Sequence, residues 1–253
     1  MAGVELVLRE FEELPPAQRD AIRPWILEMV DGMASCLPAI ERTGQPLFDT
    51  VVELRQYCYY VAGTVGQFLT EPFCGQHPQP GRVIRARLAH LAPQFAQALQ
   101  LTNILRDVSA DAAQNRNHIP RELWEREGLA PEDLFSPGRE RESWAVLEPL
   151  LAEAHENARA AAEYVASLPR RSLRARLFCL TPLLHACKTL SHIEHRRKRL
   201  ARGSAVRMSR WEVYGLTLVA ALISPSNAAI RAAVRRMQPA GKSVPTLVTD
   251  VVA

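Results

Sequence analysis

The stretch Gln100-Leu101-Thr102-Asn103-Ile104-Leu105-Arg106-Asp107-Val108-Ser109-Ala110-Asp111 constrains this chain more than any other. It sets an amide and two carboxylates four residues apart inside an apolar run. On a helix that spacing stacks Asn103, Asp107 and Asp111 on one face, about one turn apart. Leu99, Leu101, Ile104, Leu105 and Val108 fill much of the remaining surface, so the helix is expected to be largely buried. Two carboxylates so close repel each other and are costly to bury without counter-charge, so the arrangement asks for a cation. An all-oxygen set suits Mg²⁺, which takes a few carboxylates and leaves room for water and a substrate phosphate. The competing reading is a solvated face with two ordinary Asp residues, and the apolar neighbours weigh against it.

The rest of the chain is also written in helical period. Ile22, Trp25, Ile26, Met29, Val30 and Met33 form a stripe that predicts a helix over 21–37, closed or kinked at Pro38. Further helices are expected over 47–69, stopped by Pro72, and over 83–111 with a kink at Pro93. Residues 75–81 and 115–120 read as loops, and Pro120 as the start of another helix. Helices follow over 141–168 and 173–201, the latter closed by Gly203. Ser209, with Glu212 three residues on, predicts a capping box for a last helix. Residues 1–238 then make one helical domain, and 239–253 read as a loose tail. The chain has 253 residues, 47% hydrophobic and only 12 Gly, which fits an all-α domain with a sizeable core.

Charge and cysteine content narrow the function classes. The net charge of +4 suits an anionic substrate or membrane surface. Arg196-Arg197-Lys198-Arg199 lacks interleaved aromatics and any nucleic-acid module, so it reads as a solvated helix end rather than a nucleic-acid site. The five cysteines contain no CxxC pair and point to reduced thiols in a cytoplasm. No apolar run reaches the roughly 18 residues of a membrane span. His192 and His195 lack a third ligand nearby for a metal.

A second motif is Tyr57-Cys58-Tyr59-Tyr60-Val61-Ala62-Gly63-Thr64-Val65-Gly66. Glycines inside a helix cost about 1 kcal/mol each relative to Ala, so Gly63 and Gly66 imply close approach of another helix or of a ligand. Together YCYYVAGTVG at 57–66 and QLTNILRDVSADAAQNRNHIP at 100–120 resemble the squalene and phytoene synthase family. The resemblance implies an isoprenoid synthase fold, a single helical domain around a central apolar cavity. It also implies head-to-head joining of two prenyl diphosphates.

On that resemblance Asn103, Asp107 and Asp111 are the Mg²⁺ ligands of the family's second aspartate-rich motif. Arg106 and Arg116 match basic positions that meet the diphosphate, and Gln100 a polar position beside it. Gly63 and Gly66 border the substrate. Tyr57 matches the tyrosine assigned to proton transfer and carbocation stabilisation. Arg207, within Ala205-Val206-Arg207-Met208-Ser209-Arg210, resembles the tract near the NADPH phosphate in squalene synthases. The tyrosine-rich YCYYVAG and the following Gln67-Phe68-Leu69-Thr70 favour farnesyl diphosphate and squalene over a phytoene or dehydrosqualene product. Peripheral membrane association is expected because such a product is insoluble in water.

The resemblance has two departures. Ala110 stands where many relatives carry an acidic residue. No Asp pair before Tyr57 is four apart, so the family's first aspartate-rich motif, which faces the second across the cavity, is missing. Three expectations follow: a fragment, which is favoured; a companion subunit supplying the other half; or a catalytically silent homologue acting in binding or assembly.

Overall fold

The computed structural model describes residues 3–40, 45–75 and 81–239. The expected tail over 239–253 lies outside them apart from Pro239, as does most of the loop expected over 75–81. Among the described residues there is no strand, only an isolated bridge between Pro46 and Asn117. The helices in chain order are α1 Val4–Glu12, α2 Pro16–Ile40, α3 Val51–Cys58, α4 Thr64–Gly75, α5 Arg82–Ala113 and α6 Arg121–Arg126. They are followed by α7 Glu140–Ser167, α8 Leu173–His195, α9 Arg197–Leu200, α10 Arg210–Ile223 and α11 Asn227–Arg236. A π-helical turn, Tyr59–Gly63, joins α3 to α4.

Several boundaries differ from the sequence expectation for local reasons. The helix expected to stop at Pro72 runs on to Gly75, since a proline in a last turn removes only one backbone donor while Cys74 beyond it is buried. Pro38 likewise lies inside α2. The helix expected from Leu47 begins at Val51, because Thr50 is the residue whose side chain accepts from the Glu53 N–H. The stretch 173–201 breaks at Arg196 into α8 and α9. Helices α1 and α11 had no expectation at all.

α5 and α7 form the spine of the molecule, and two apolar clusters lie along it. One gathers Leu54, Leu101, Leu105, Trp124, Leu147 and Leu190 around the second half of α5. The other gathers Leu88, Ala92, Val165, Leu180, Leu184 and Ile230 around its first half. Four of the five cysteines, Cys58, Cys74, Cys179 and Cys187, are buried free thiols, and burial holds Cys179 and Cys187 up at about 12.

Candidate active site

The site is built at the C-terminal end of α5, where the sequence forces the chain to turn back on itself. Asn115 takes the left-handed conformation at φ +56°, which Asn tolerates better than most residues. Its N–H donates to the Ala112 carbonyl at 3.0 Å, and the Arg116 N–H to the Asp111 carbonyl at 2.8 Å. This paired closure is a Schellman motif, and it folds Arg116, Asn117 and His118 back over the last turn. The returning strand of chain is fixed by the Leu47 N–H donating to the Asn117 carbonyl at 2.8 Å and the Arg121 N–H to the Phe48 carbonyl at 2.9 Å. Phe48 is thereby set against Tyr57, with ring centroids 5.1 Å apart.

These contacts bring three of the expected site residues, Tyr57, Asp111 and Arg116, into one neighbourhood with His118. The Tyr57 ring lies between Phe48 and His118, the latter at 6.0 Å between centroids. His118 Nδ1 stands 3.3 Å from an Asp111 carboxylate oxygen. Asp111, Arg116 and His118 line a cavity of about 130 Å³ floored by Ile104, Val108 and Trp124. One turn earlier, Arg106 grips Asp107 with two hydrogen bonds, Nε to Oδ1 at 2.9 Å and Nη2 to Oδ2 at 2.5 Å.

The electrostatics follow from burial and neighbours. Burial pushes the Tyr57 phenol above its ordinary value, and the Asp111 carboxylate adds to the shift, so the proton stays on the oxygen at neutral pH. Burial lowers the His118 imidazole, Arg116 lowers it further and Asp111 opposes both, which leaves a neutral ring at pH 7. Arg106 is held above its usual value by its bond to Asp107.

The acidic face is more open than its sequence neighbours imply. Leu101, Ile104, Leu105 and Val108 are buried, but Asn103 is exposed and the Asp107 and Asp111 side chains are 43% and 21% exposed. Apolar neighbours in sequence bury the other side of α5 and leave this side facing outward. Among the described residues no group of three His, Cys, Asp or Glu side chains is arranged to hold a metal. The hard oxygen donors of Asn103, Asp107 and Asp111 fit Mg²⁺ in kind, as one wall that keeps positions open for water and phosphate. Gln100 is half-buried one turn before Asn103.

Gly66 sits at a helix crossing, where a Cβ would lie 2.7 Å from the Ala92 carbonyl oxygen of α5. Gly63 is buried at the end of the π turn, against the Tyr59 ring. Arg207 is exposed in the segment before α10, and among the described residues no hydrogen bond or ion pair joins it to the acidic face. Sequence reasoning did not single out His118 or the π turn that follows Tyr57. The His118-Ile119-Pro120 segment after the acidic face was the available signal for the first; nothing in the sequence marked the second.

Comparison with known proteins agrees with this picture. The squalene/phytoene synthase family model matches residues 2–212. Squalene synthase from Schizosaccharomyces pombe is 29% identical over 192 residues, which is 75% of this chain and 40% of that protein. Phytoene synthase 1 from Solanum lycopersicum is 34% identical over 144 residues, 54% of this chain and 33% of that protein. The chain therefore spans well under half the length of these relatives. The solved structure of TcSQS with the ligand E5700 superposes with a TM-score of 0.72 at 23% identity, covering 91% of this chain and 72% of that one. That likeness shows an isoprenoid synthase fold. With a family match over most of the chain, and its motifs meeting at one end of α5, the protein belongs to the squalene/phytoene synthase family.

Proposed function

We propose that this chain is a prenyltransferase-type squalene synthase, which condenses two farnesyl diphosphates head to head through presqualene diphosphate to squalene with release of diphosphate. The observation that supports it most directly is the meeting of Tyr57, Asp111, Arg116 and His118 at the end of the Asn103–Asp107–Asp111 face. Mg²⁺ held by that face would supply positive charge to a departing diphosphate. Arg116, exposed beside it, and Arg106, now paired with Asp107, are the cations that meet the same anion. Tyr57 presents a protonated phenol and an aromatic face next to the acidic wall, suited to a carbocation and to passing a proton to the leaving group. Arg207 is an exposed cation that could meet the extra phosphate of NADPH, the reductant this reaction requires.

A phytoene or dehydrosqualene synthase is the second reading, supported by the identity to the tomato phytoene synthase. A silent homologue is the third, motivated by the sequence before Tyr57, where no two Asp residues stand four apart.

Incubation with farnesyl diphosphate and Mg²⁺, with and without NADPH, and mass analysis of the products separates them. Squalene is expected only with NADPH. Squalene without NADPH, or a C40 product from geranylgeranyl diphosphate alone, overturns the squalene reading, and no turnover by folded protein supports the silent homologue. In an active preparation Asp107→Asn and Tyr57→Phe should each lower turnover by about 10²-fold or more. Unchanged turnover in Asp107→Asn overturns the metal assignment.

A further inference from the structure

We propose that the outer face of α10, with the basic segment leading into it, docks the protein on an anionic lipid surface. The proposal does not rest on the prenyl-transfer reading, and the family match ends at residue 212, before most of this helix.

α10 is apolar on both sides. Ala220 is buried inward, with Val213, Leu216 and Ile223 half-buried around it. Outward stand Trp211, Tyr214, Leu218 and Leu222, spaced three, four and four residues apart and so forming one stripe. Their exposures are 83%, 64%, 62% and 71%. An apolar row of this size facing water on a short helix marks a surface that is covered in use.

The face is held rigidly. Val206 is buried, Ser209 and Glu212 form the capping box, and His192 Nε2 lies 3.0 Å from Glu212. At the other end buried Arg176 donates to the Ser224 carbonyl at 2.6 Å.

Charge decides between lipid and protein as the cover. Arg196, Arg197, Lys198, Arg199, Arg207 and Arg210 are all exposed, and none forms an ion pair among the described residues. Of the nearby acids, Glu212 is engaged by Ser209 and Lys188 and Glu140 by Arg202, while Glu194 is half-buried beside a neutral His155, so the exposed cations stay in excess. Along the chain the order is therefore cations, then Trp211 and Tyr214, then leucines. On a helix lying in the plane of a membrane, the Trp211–Leu222 stripe would enter the headgroup and acyl boundary, with the exposed cations left to meet anionic headgroups. No helix among the described residues is long and apolar enough to cross a membrane, so α10 lies on the surface.

The test uses the full chain in flotation with vesicles of phosphatidylcholine alone and of phosphatidylcholine mixed with phosphatidylglycerol. Binding is expected to the anionic vesicles, with Trp211 emission quenched by brominated lipid and the quenching lost in Trp211→Phe. Leu218→Ser with Leu222→Ser should lower partitioning by roughly tenfold or more. Arg196→Gln with Arg197→Gln and Lys198→Gln should remove the preference for anionic lipid. These residues are exposed, so the variants should keep the parent's circular dichroism and melting. No flotation with either vesicle overturns the proposal, as does binding indifferent to the leucine substitutions. A lipid-free dimer that shields Trp211 from acrylamide also overturns it, in favour of a second copy of this chain on the same face.

Discussion

Among single side chains, His155 shows most directly how burial sets chemistry here. It lies on α7, is 3% exposed, and desolvation aided by Arg159 holds its pKa down at about 4. An unfolded chain would bind a proton there near pH 6.5, so the folded state loses stability as pH falls from about 6.5 to about 4 and no further below that. The loss amounts to about 3 kcal/mol at most. Denaturant melts across that window should show it, and His155→Phe should flatten that part of the profile. At the same scale the sequence was informative about Asp107, Asp111 and Tyr57, because chemistry-bearing residues at helical spacing are visible without coordinates. His155 was not visible, since nothing local distinguishes a buried histidine from a solvated one.

At the scale of elements, the end of α5 decides whether the site exists. Asn115 allows the left-handed turn that returns Arg116 and His118 over Asp111. Asn115→Val should cost about 1–2 kcal/mol, because a β-branched residue resists positive φ, whereas Asn115→Gly should be nearly neutral. Thermal melts of the two variants check the sign, and in an active preparation the valine form should also lose turnover. Helix ends were partly legible: the Ser209–Glu212 box stands where its spacing places it. The ends near Pro38 and Pro72 were not, because a proline in a last turn removes only one backbone donor, and beyond Pro72 the buried Cys74 favours continuation. The role of Gly66 is settled by the same kind of contact, a helix crossing too close for a Cβ.

At the scale of the molecule, three helix ends are tied by one buried cation. Arg176 is fully buried and donates to the Leu168 carbonyl at 2.7 Å, the Ser224 carbonyl at 2.6 Å and Asn227 Oδ1 at 2.6 Å. Leu168 and Ser224 cap the C-termini of α7 and α10, where carbonyl dipoles converge and favour a positive charge. Burial lowers the Arg176 pKa, yet a guanidinium remains charged and its planar fork serves several acceptors at once. Arg176→Lys should cost about 2–4 kcal/mol, since an ammonium cannot reach all three acceptors and leaves some unpaired. Chemical denaturation measures that cost. A loss below about 0.5 kcal/mol would mean the clamp contributes nothing net.

By itself the sequence determined the helical class, the family and the placing of Asn103, Asp107 and Asp111 one turn apart on a single helix, because each is a matter of residue type at helical spacing. Tertiary structure alone decided which side of α5 is buried, that Tyr57 meets Asp111 through His118, and that α10 turns an apolar stripe outward. Those outcomes depend on neighbours far apart in the chain, and a helical pattern states which residues share a face without stating what that face meets.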